Sequence, residues 1–267
     1  MKEIPARVHV LLAQSQPKAV LIIQKRSKLF HVVSWEYMAD EMKEGSWFRG
    51  KIYPRRCDLS FDGRHMVYFA LGPTKDVLSW SAVCEPPFLK ASLLWEHDST
   101  WFGGGVFLDD ETLYMSLDEN TNRKNEMQHV PSRNVEKLFK ILYRKDDARG
   151  DSLIQAKLNK DGWREKEFTA SRMIFEKESP QGGSKLFLSC NGSWEGEKWQ
   201  YELLDIETGE PVEASPVDGK TTWADWDGSG CLFTVKDGIV TCSDPVYDFD
   251  VFGKLDCNQF QKKTSDH

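Results

Sequence analysis

The feature that most constrains this chain is a strand-turn-strand unit that recurs along it. Ser46–Gly50 (SWFRG) has a counterpart 54 residues later in Thr100–Gly104 (TWFGG), and each is followed by a strand, an acidic turn and a second strand. A third version of the unit is Ala224–Thr234, and a weaker fourth is Ala156–Trp163. One such unit cannot bury both faces of its sheet, so units that recur every ~50 residues are expected to stack on their neighbours.

Between the repeats, the sequence consists of short apolar strands separated by tight turns. Runs such as Ala19–Ile23 and His65–Phe69 are rich in β-branched and aromatic residues, which favour strands. Asp-Gly pairs, which suit hairpin turns with positive φ, begin at Asp62, Asp161, Asp218, Asp227 and Asp237. Many short strands indicate a sandwich, a barrel or a propeller, and the reuse of one module favours the propeller. We therefore predict an all-β fold, a β-propeller of about five antiparallel four-stranded blades that forms a single domain over residues 1–267.

One interval does not fit the strand pattern clearly. In Val130–Tyr143, Val135, Leu138, Phe139 and Leu142 recur with the spacing of a helix, yet Lys137–Leu142 also alternates like a strand. Both interpretations stay open at this stage.

Composition limits the environment and the partners of the chain. The net charge of −7 argues against nucleic acid as a partner, since a domain that binds phosphate backbones usually carries a basic excess. No apolar stretch approaches the ~20 residues of a membrane-spanning helix, and Val8–Ala13 is too short for the core of a signal peptide. The six cysteines show no C-x-x-C pair and are expected to be reduced core residues of a cytoplasmic protein.

Two segments resemble known propeller repeats. Leu59–Ala70 (LSFDGRHMVYFA) resembles the strand-turn-strand of TolB-type and WD40-like repeats, although Phe61 stands where that pattern usually has Pro. Tyr201–Glu210 resembles the outer strand and turn of such a blade. The resemblance implies architecture only, because propellers of this kind serve many unrelated functions.

The connection from the first repeat into the next carries the strongest candidate binding residues. In propellers such a connection crosses the face above the central channel, which would bring Tyr53, Arg55, Arg56 and Asp58 near the axis. Aromatic and guanidinium groups suit anions, acidic side chains or sugar rings. Trp101 stands at the equivalent place in the next repeat, so we predict Tyr53, Arg55, Arg56 and Trp101 as ligand-binding residues. The alternative is that Arg56 and Asp58 form structural pairs between blades and that Arg55 is solvated.

Gly103, Gly104 and Gly105 follow Trp101, and a glycine run can present backbone N–H groups to an anion. However, no Gly-Lys-Ser/Thr follows the run, so a nucleotide-binding loop is not predicted. Close packing of backbones near the axis is the favoured reason for these glycines.

Carboxylates from three repeats supply the candidates for catalysis. Asp58, Asp109 and Asp225 occupy corresponding parts of their repeats and could converge on the channel. Glycoside hydrolysis needs two acids roughly 5 to 9.5 Å apart across a sugar. The alternative for Asp109 and Asp225 is a turn role, because Asp commonly bonds its own backbone in turns.

No metal site is expected, since the six histidines lack ligand spacing, and no cofactor is expected. No Gly-x-Ser-x-Gly elbow occurs that would indicate a serine nucleophile. The function that we predict is binding of a protein or peptide partner, or a scaffold role, on the loop face above the channel, where a small-molecule ligand could also lie. The alternatives are a hydrolase of a carbohydrate or phosphate-containing small molecule, and a protein whose surface binds nothing tightly.

Overall fold

The structure is a computed structural model that describes residues 4–72, 79–97, 99–117, 139–144, 151–169, 171–192 and 199–262. Its strands form five β-sheets arranged as a five-bladed β-propeller. The predicted fold class, an all-β propeller of about five blades, is therefore confirmed.

The first two blades follow the expected order of antiparallel strands. Blade 1 contains β1 (Arg7–Leu12), β2 (Lys18–Arg26), β3 (Leu29–Glu36) and β4 (Glu41–Arg49). Blade 2 contains β5 (Lys51–Ile52) and β6 (Asp58–Leu59), which both pair with β7 (Met66–Leu71), followed by β8 (Ser79–Cys84) and β9 (Ala91–His97). A short 3-10 helix, Pro54–Arg56, separates β5 from β6 and so interrupts the inner edge of blade 2.

Blade 3 departs from the expected pattern within the residues that the structure describes. It contains β10 (Gly105–Phe107), β11 (Thr112–Ser116) and β12 (Lys140–Arg144), and β12 runs parallel to β11. The described end of the ambiguous Val130–Tyr143 interval is thus a strand, whereas Val135 and Leu138 lie outside the described residues.

The last two blades are again four-stranded. Helix α1 (Asp151–Lys160) precedes blade 4, which contains β13 (Arg164–Phe168), β14 (Arg172–Glu178), β15 (Ser184–Asn191) and β16 (Gln200–Asp205). Blade 5 contains β17 (Thr221–Trp226), β18 (Leu232–Lys236), β19 (Ile239–Asp244) and β20 (Asp250–Asp256), with a second 3-10 helix, Pro245–Tyr247, between β19 and β20.

The fourth copy of the repeat was wrongly placed by the sequence pattern. Ala156–Lys160 belongs to α1, and Asp161-Gly162 forms the turn after this helix instead of a hairpin turn. Leu153 and Ile154 are buried and Leu158 packs against the core of blade 4, so these apolar residues form the buried face of the helix. The inner hairpin of blade 4 lies at Ser179–Ser184.

Two turns behave as their sequences predict. Asp237 and Gly238 connect β18 to β19 with φ of 50° and 78°, as a type I′ hairpin turn requires. Asp205 ends β16, and its Oδ1 accepts hydrogen bonds from the backbone N–H groups of Glu207 and Thr208.

The ring closes where blade 5 meets blade 1. Trp35 and Phe233 belong to one buried cluster that joins the two sheets, with ring centroids 6.2 Å apart. After β20 the chain returns to blade 1, where Asn258 Oδ1 accepts a hydrogen bond from the Ala6 backbone at 2.8 Å. Phe260 is buried nearby, with its ring centroid 5.3 Å from that of His31.

Candidate functional site

Corresponding positions on the inner strands can be matched through one recurring hydrogen bond. In each blade a backbone N–H at the inner hairpin donates across the turn, and the donors are Ala13, Ser60, Leu108, Ser179 and Asp227. The residues two positions earlier, which lie on the same face of each strand, are Leu11, Asp58, Val106, Lys177 and Asp225. In blade 4 the β13–β14 turn also has a backbone hydrogen bond, from Thr169 to Arg172, but Lys177 of β14 pairs with Asp225, so we take β14 as the inner counterpart.

Asp58 is the centre of a buried ion network at the axis. Its side chain is 1% exposed and accepts from Lys157 Nζ at 2.7 Å, from Lys160 Nζ at 2.9 Å and from the Phe107 backbone at 2.9 Å. Both lysines come from α1, where a spacing of three residues places them on one face of the helix. The network therefore ties α1 to the inner strands of blades 2 and 3.

Asp161, just beyond α1, extends this network. It lies 3.1 Å from Lys157 Nζ and 2.8 Å from Lys160 Nζ. Burial would raise the pKa of Asp161, but the charges of Lys157 and Lys160 outweigh it and hold this pKa well below its usual value. Burial would lower the pKa of Lys157, and Asp161 and Asp58 raise it instead. Asp161 and Lys157 are therefore charged at neutral pH.

Asp225 forms a second pair with the equivalent residue of blade 4. Lys177 Nζ lies 2.6 Å from Asp225 Oδ1, and Trp163 Nε1 donates to Oδ2 at 3.2 Å. Burial raises the pKa of Asp225, while Lys177 opposes this rise. One oxygen of the Asp225 carboxylate thus pairs with Lys177 of blade 4, and the other accepts a hydrogen bond from Trp163.

A cavity of about 50 Å³ lies among these groups. It is lined by β1, the 3-10 helix of blade 2, α1, β17 and the faces of blade 4, through residues that include His9, Arg55, Lys157, Tyr201, Trp223 and Asp225. Its wall therefore combines aromatic rings with cationic side chains at the centre of the ring of blades.

Arg55 is half-buried and lines this cavity. Its guanidinium carbon lies 4.0 Å from the centroid of the Trp199 ring. Burial lowers the pKa of Arg55, and the hydroxyl of Tyr201 partly opposes this effect through a hydrogen bond. A cation against an aromatic face and a phenol is stabilised without a carboxylate.

His9 lies beside Arg55 at the cavity wall. Its Nε2 atom is buried and has no hydrogen-bond partner among the described residues, and its ring packs edge-on against Trp223 at 6.2 Å. Burial lowers the pKa of His9 well below 6.5, and the charges of Arg55 and Lys157 lower it further while Asp161 opposes them. The imidazole is therefore neutral at pH 7.

Arg56 has a structural role at the loop that carries Trp101. It is 3% exposed, and its Nη1 donates to the carbonyls of Thr100, Trp101 and Phe102 at 3.0, 3.3 and 3.2 Å. One guanidinium thus fixes three consecutive peptide groups of this loop.

The glycine run after Trp101 completes this support through close packing. Gly103 and Gly104 have φ of +117° and +92°, and a Cβ on Gly104 would lie 2.3 Å from the Arg56 carbonyl oxygen. The Gly104 backbone N–H donates to Ser81 Oγ at 2.7 Å. Its N–H therefore has a protein partner, and an anion is not needed to satisfy it.

Arg56 contacts both Trp101, through the backbone carbonyl, and the ring of Tyr53. Trp101 is 68% exposed, so the supported loop presents a large aromatic side chain to solvent. Tyr53 is half-buried and stacks on Phe69, with Lys51 Nζ 4.2 Å from its ring centroid and the Arg56 guanidinium carbon 5.6 Å from it. We call Lys51, Tyr53 and Trp101 the aromatic face.

The predicted site residues therefore separate into groups. Arg55 lines the cavity, Arg56 supports a loop, and only Tyr53 and Trp101 lie on the aromatic face. Asp58 and Asp225 are buried in ion pairs, whereas Asp109 is exposed and accepts from the Glu111 backbone at 2.8 Å in a turn. Sequence reasoning missed His9, Lys157, Lys160, Lys177 and Tyr201; the spacing of Lys157, Lys160 and Asp161 was the available signal.

Comparisons with known proteins do not assign a family. No protein-family model matches the chain, and no curated protein does. Among solved structures, hydrazine synthase of Kuenenia stuttgartiensis is similar over 91% of this chain and 78% of its own, at 9% identity and a TM-score of 0.28. This similarity is too low to carry an argument.

Within the described ranges, no helix is long and apolar enough to cross a membrane. The same part of the chain contains no group of three His, Cys, Asp or Glu side chains that could hold a metal ion. All six cysteines are buried free thiols.

Proposed function

We propose that this protein is a binding module that recognises a protein or peptide partner through the aromatic face. The observation that carries the proposal is the exposure of Trp101, 68%, on a loop held by three hydrogen bonds from Arg56. Tryptophan is among the residues that most often dominate binding energy at protein interfaces. A preorganised loop loses little conformational entropy on binding, which favours this role.

The other residues of the aromatic face indicate the chemistry of the partner. Lys51 is exposed, and its ammonium group lies over the Tyr53 ring. An aromatic anchor beside a cation suits a segment that combines an apolar side chain with an acidic one. We propose such a segment as the ligand, and the cytoplasm as the location, because reduced buried thiols are typical there.

Affinity capture from native lysate tests the proposal. We expect Trp101→Ala to recover the specific partner at least about tenfold less than the wild type, as for an interface hot spot. Tyr247→Ala is the matched control, because Tyr247 is 67% exposed and lies between β19 and β20, at the opposite end of the sheets. Partners that survive Trp101→Ala undiminished would contradict the assignment.

The second candidate is a hydrolase that acts on a carbohydrate or phosphate-containing small molecule. The contacts favour it less, because the described partners of Asp58 and Asp225 are lysines and backbone or indole N–H groups. The resemblance of Leu59–Ala70 to TolB-type and WD40-like repeats likewise stays a proposal.

A further inference from the structure

The charges around the axial cavity do not balance within the described residues. The lining groups and their direct ion-pair partners supply four cations, Arg55, Lys157, Lys160 and Lys177. They supply three carboxylates, Asp58, Asp161 and Asp225. One positive charge is therefore left over at the wall of the cavity, where partial burial makes an uncompensated charge costly.

The excess charge can be assigned to Arg55. Lys157 and Lys160 lie within 3.1 Å of Asp58 or Asp161, and Lys177 lies 2.6 Å from Asp225. Arg55 has Trp199 and Tyr201 as partners but no carboxylate among the described residues. Burial lowers its pKa, as expected for a cation that lacks a counter-ion.

A second, independent observation lies beside Arg55. The Nε2 atom of His9 is buried at the wall of the same cavity, and no described residue is its hydrogen-bond partner. Buried polar atoms of folded proteins are nearly always hydrogen-bonded to protein, water or a ligand. A group bound in the cavity would supply the hydrogen-bond partner that His9 Nε2 lacks among the described residues.

The size of the cavity sets the class of that group. Its volume of about 50 Å³ corresponds to about three or four water molecules at the space that one water needs. A phosphoryl, sulfuryl or carboxylate group is of this size, whereas a sugar ring or a nucleotide is much larger.

We propose that the cavity between His9 and Arg55 is a binding site for a small oxyanion. The guanidinium of Arg55 supplies the charge and a planar fork of donors. His9 donates from Nε2, and Tyr201 offers a hydroxyl at the same wall. This site is separate from the aromatic face, so it does not depend on the proposed partner.

Binding of an oxyanion is expected to change the proton affinity of His9. The groups that face His9 are Arg55, Lys157 and Asp161, and burial together with the two cations keeps the imidazole neutral. An anion between His9 and Arg55 would offset these cations and favour the imidazolium form. Occupation of the site would therefore be coupled to proton uptake.

Thermal unfolding with inorganic phosphate as the probe tests the site. The wild type should gain roughly 2–4 °C in saturating phosphate over sodium chloride of the same ionic strength. Arg55→Met keeps the alkyl stem against Trp199 and removes the charge, so it should lose this gain. Acetate serves as a parallel probe, since a gain with acetate would extend the site to carboxylates and a gain with phosphate alone would restrict it to phosphoryl groups.

Arg64→Met is the matched control, because the Arg64 side chain is 79% exposed and far less constrained. Phosphate also stabilises proteins by exclusion from their surface, and this effect would be the same in all variants. Equal gains in the wild type, Arg55→Met and Arg64→Met would therefore overturn the proposal.

A measurement on the wild type keeps the proposal testable if Arg55→Met does not fold. The His9 imidazole can be followed by NMR during a pH titration and assigned by comparison with His9→Phe. Saturating phosphate should increase the proton affinity of His9 by about tenfold or more. An unchanged His9 titration would rule out an anion at this place.

Discussion

At the scale of single residues, Asp58 shows how one side chain can have a structural role that its sequence context does not reveal. It is 1% exposed and pairs with two lysines that lie about 100 positions further along the chain. Burial of this carboxylate is tolerable only because both lysines and the Phe107 backbone surround it.

Asp58→Asn should therefore destabilise the protein strongly. The change leaves Lys157 and Lys160 with Asp161 as their remaining carboxylate, and breaking a buried pair in this way costs about 3–5 kcal/mol. Chemical denaturation measures the loss, and hydrogen exchange should show increased exchange in α1. Asp109→Asn, at an exposed turn, should cost much less; equal costs for the two variants would refute the role given to Asp58.

The sequence predicted the positions of some of these residues but not their interaction partners. The alignment of Asp58 with Asp225 followed from the repeat, and the hairpin hydrogen bonds place both at the same register position. Their partners could not be predicted, because Lys157 and Lys177 reach them from another element and another blade. Arg55 and Arg56 are adjacent in sequence, yet one lines the cavity and the other supports a loop, a difference set by packing.

At the scale of elements, the hairpins were predictable and the helix was not. Asp237-Gly238 and the turn at Asp205 have local sequence signals that no distant contact overrides. Helix α1 has its apolar residues at Leu153, Ile154 and Leu158, which is too short a pattern to indicate a helix in a chain of strands. Its place at the axis depends on ion pairs with blade 2.

The loop between β9 and β10 supplies a prediction at this scale. Gly104→Ala should destabilise the protein by about 1–2 kcal/mol because alanine is strained at the positive φ of this position. The new methyl group would also clash with the Arg56 carbonyl oxygen, which should cost about 1–3 kcal/mol more. Chemical denaturation followed by tryptophan fluorescence measures the change.

Gly182→Ala is the matched control for this variant. Gly182 has φ of +80°, but nothing lies within 4 Å of its added Cβ. It should therefore show the cost of positive φ alone. Equal losses for Gly104→Ala and Gly182→Ala would mean that the loop has room to move away from Arg56.

At the scale of the whole molecule, five blades create an axis and a face with different properties. Helix α1, the ion pairs and the small cavity lie at the axis, whereas the aromatic face combines Lys51 and Tyr53, at the start of blade 2, with Trp101, in the loop from β9 into β10. The repeat predicted the blades, but the separation of Arg55 from Trp101 required the three-dimensional structure.

Photo-crosslinking tests the binding role of the aromatic face most directly. A benzoylphenylalanine introduced at position 101 in place of Trp101 reports which molecules contact this loop, and the same probe in place of Tyr247 reports on the opposite end of the sheets. We expect a specific protein or peptide to crosslink at position 101 and not at position 247. Crosslinking of the partner at position 247 alone, or at both positions equally, would contradict recognition through the aromatic face.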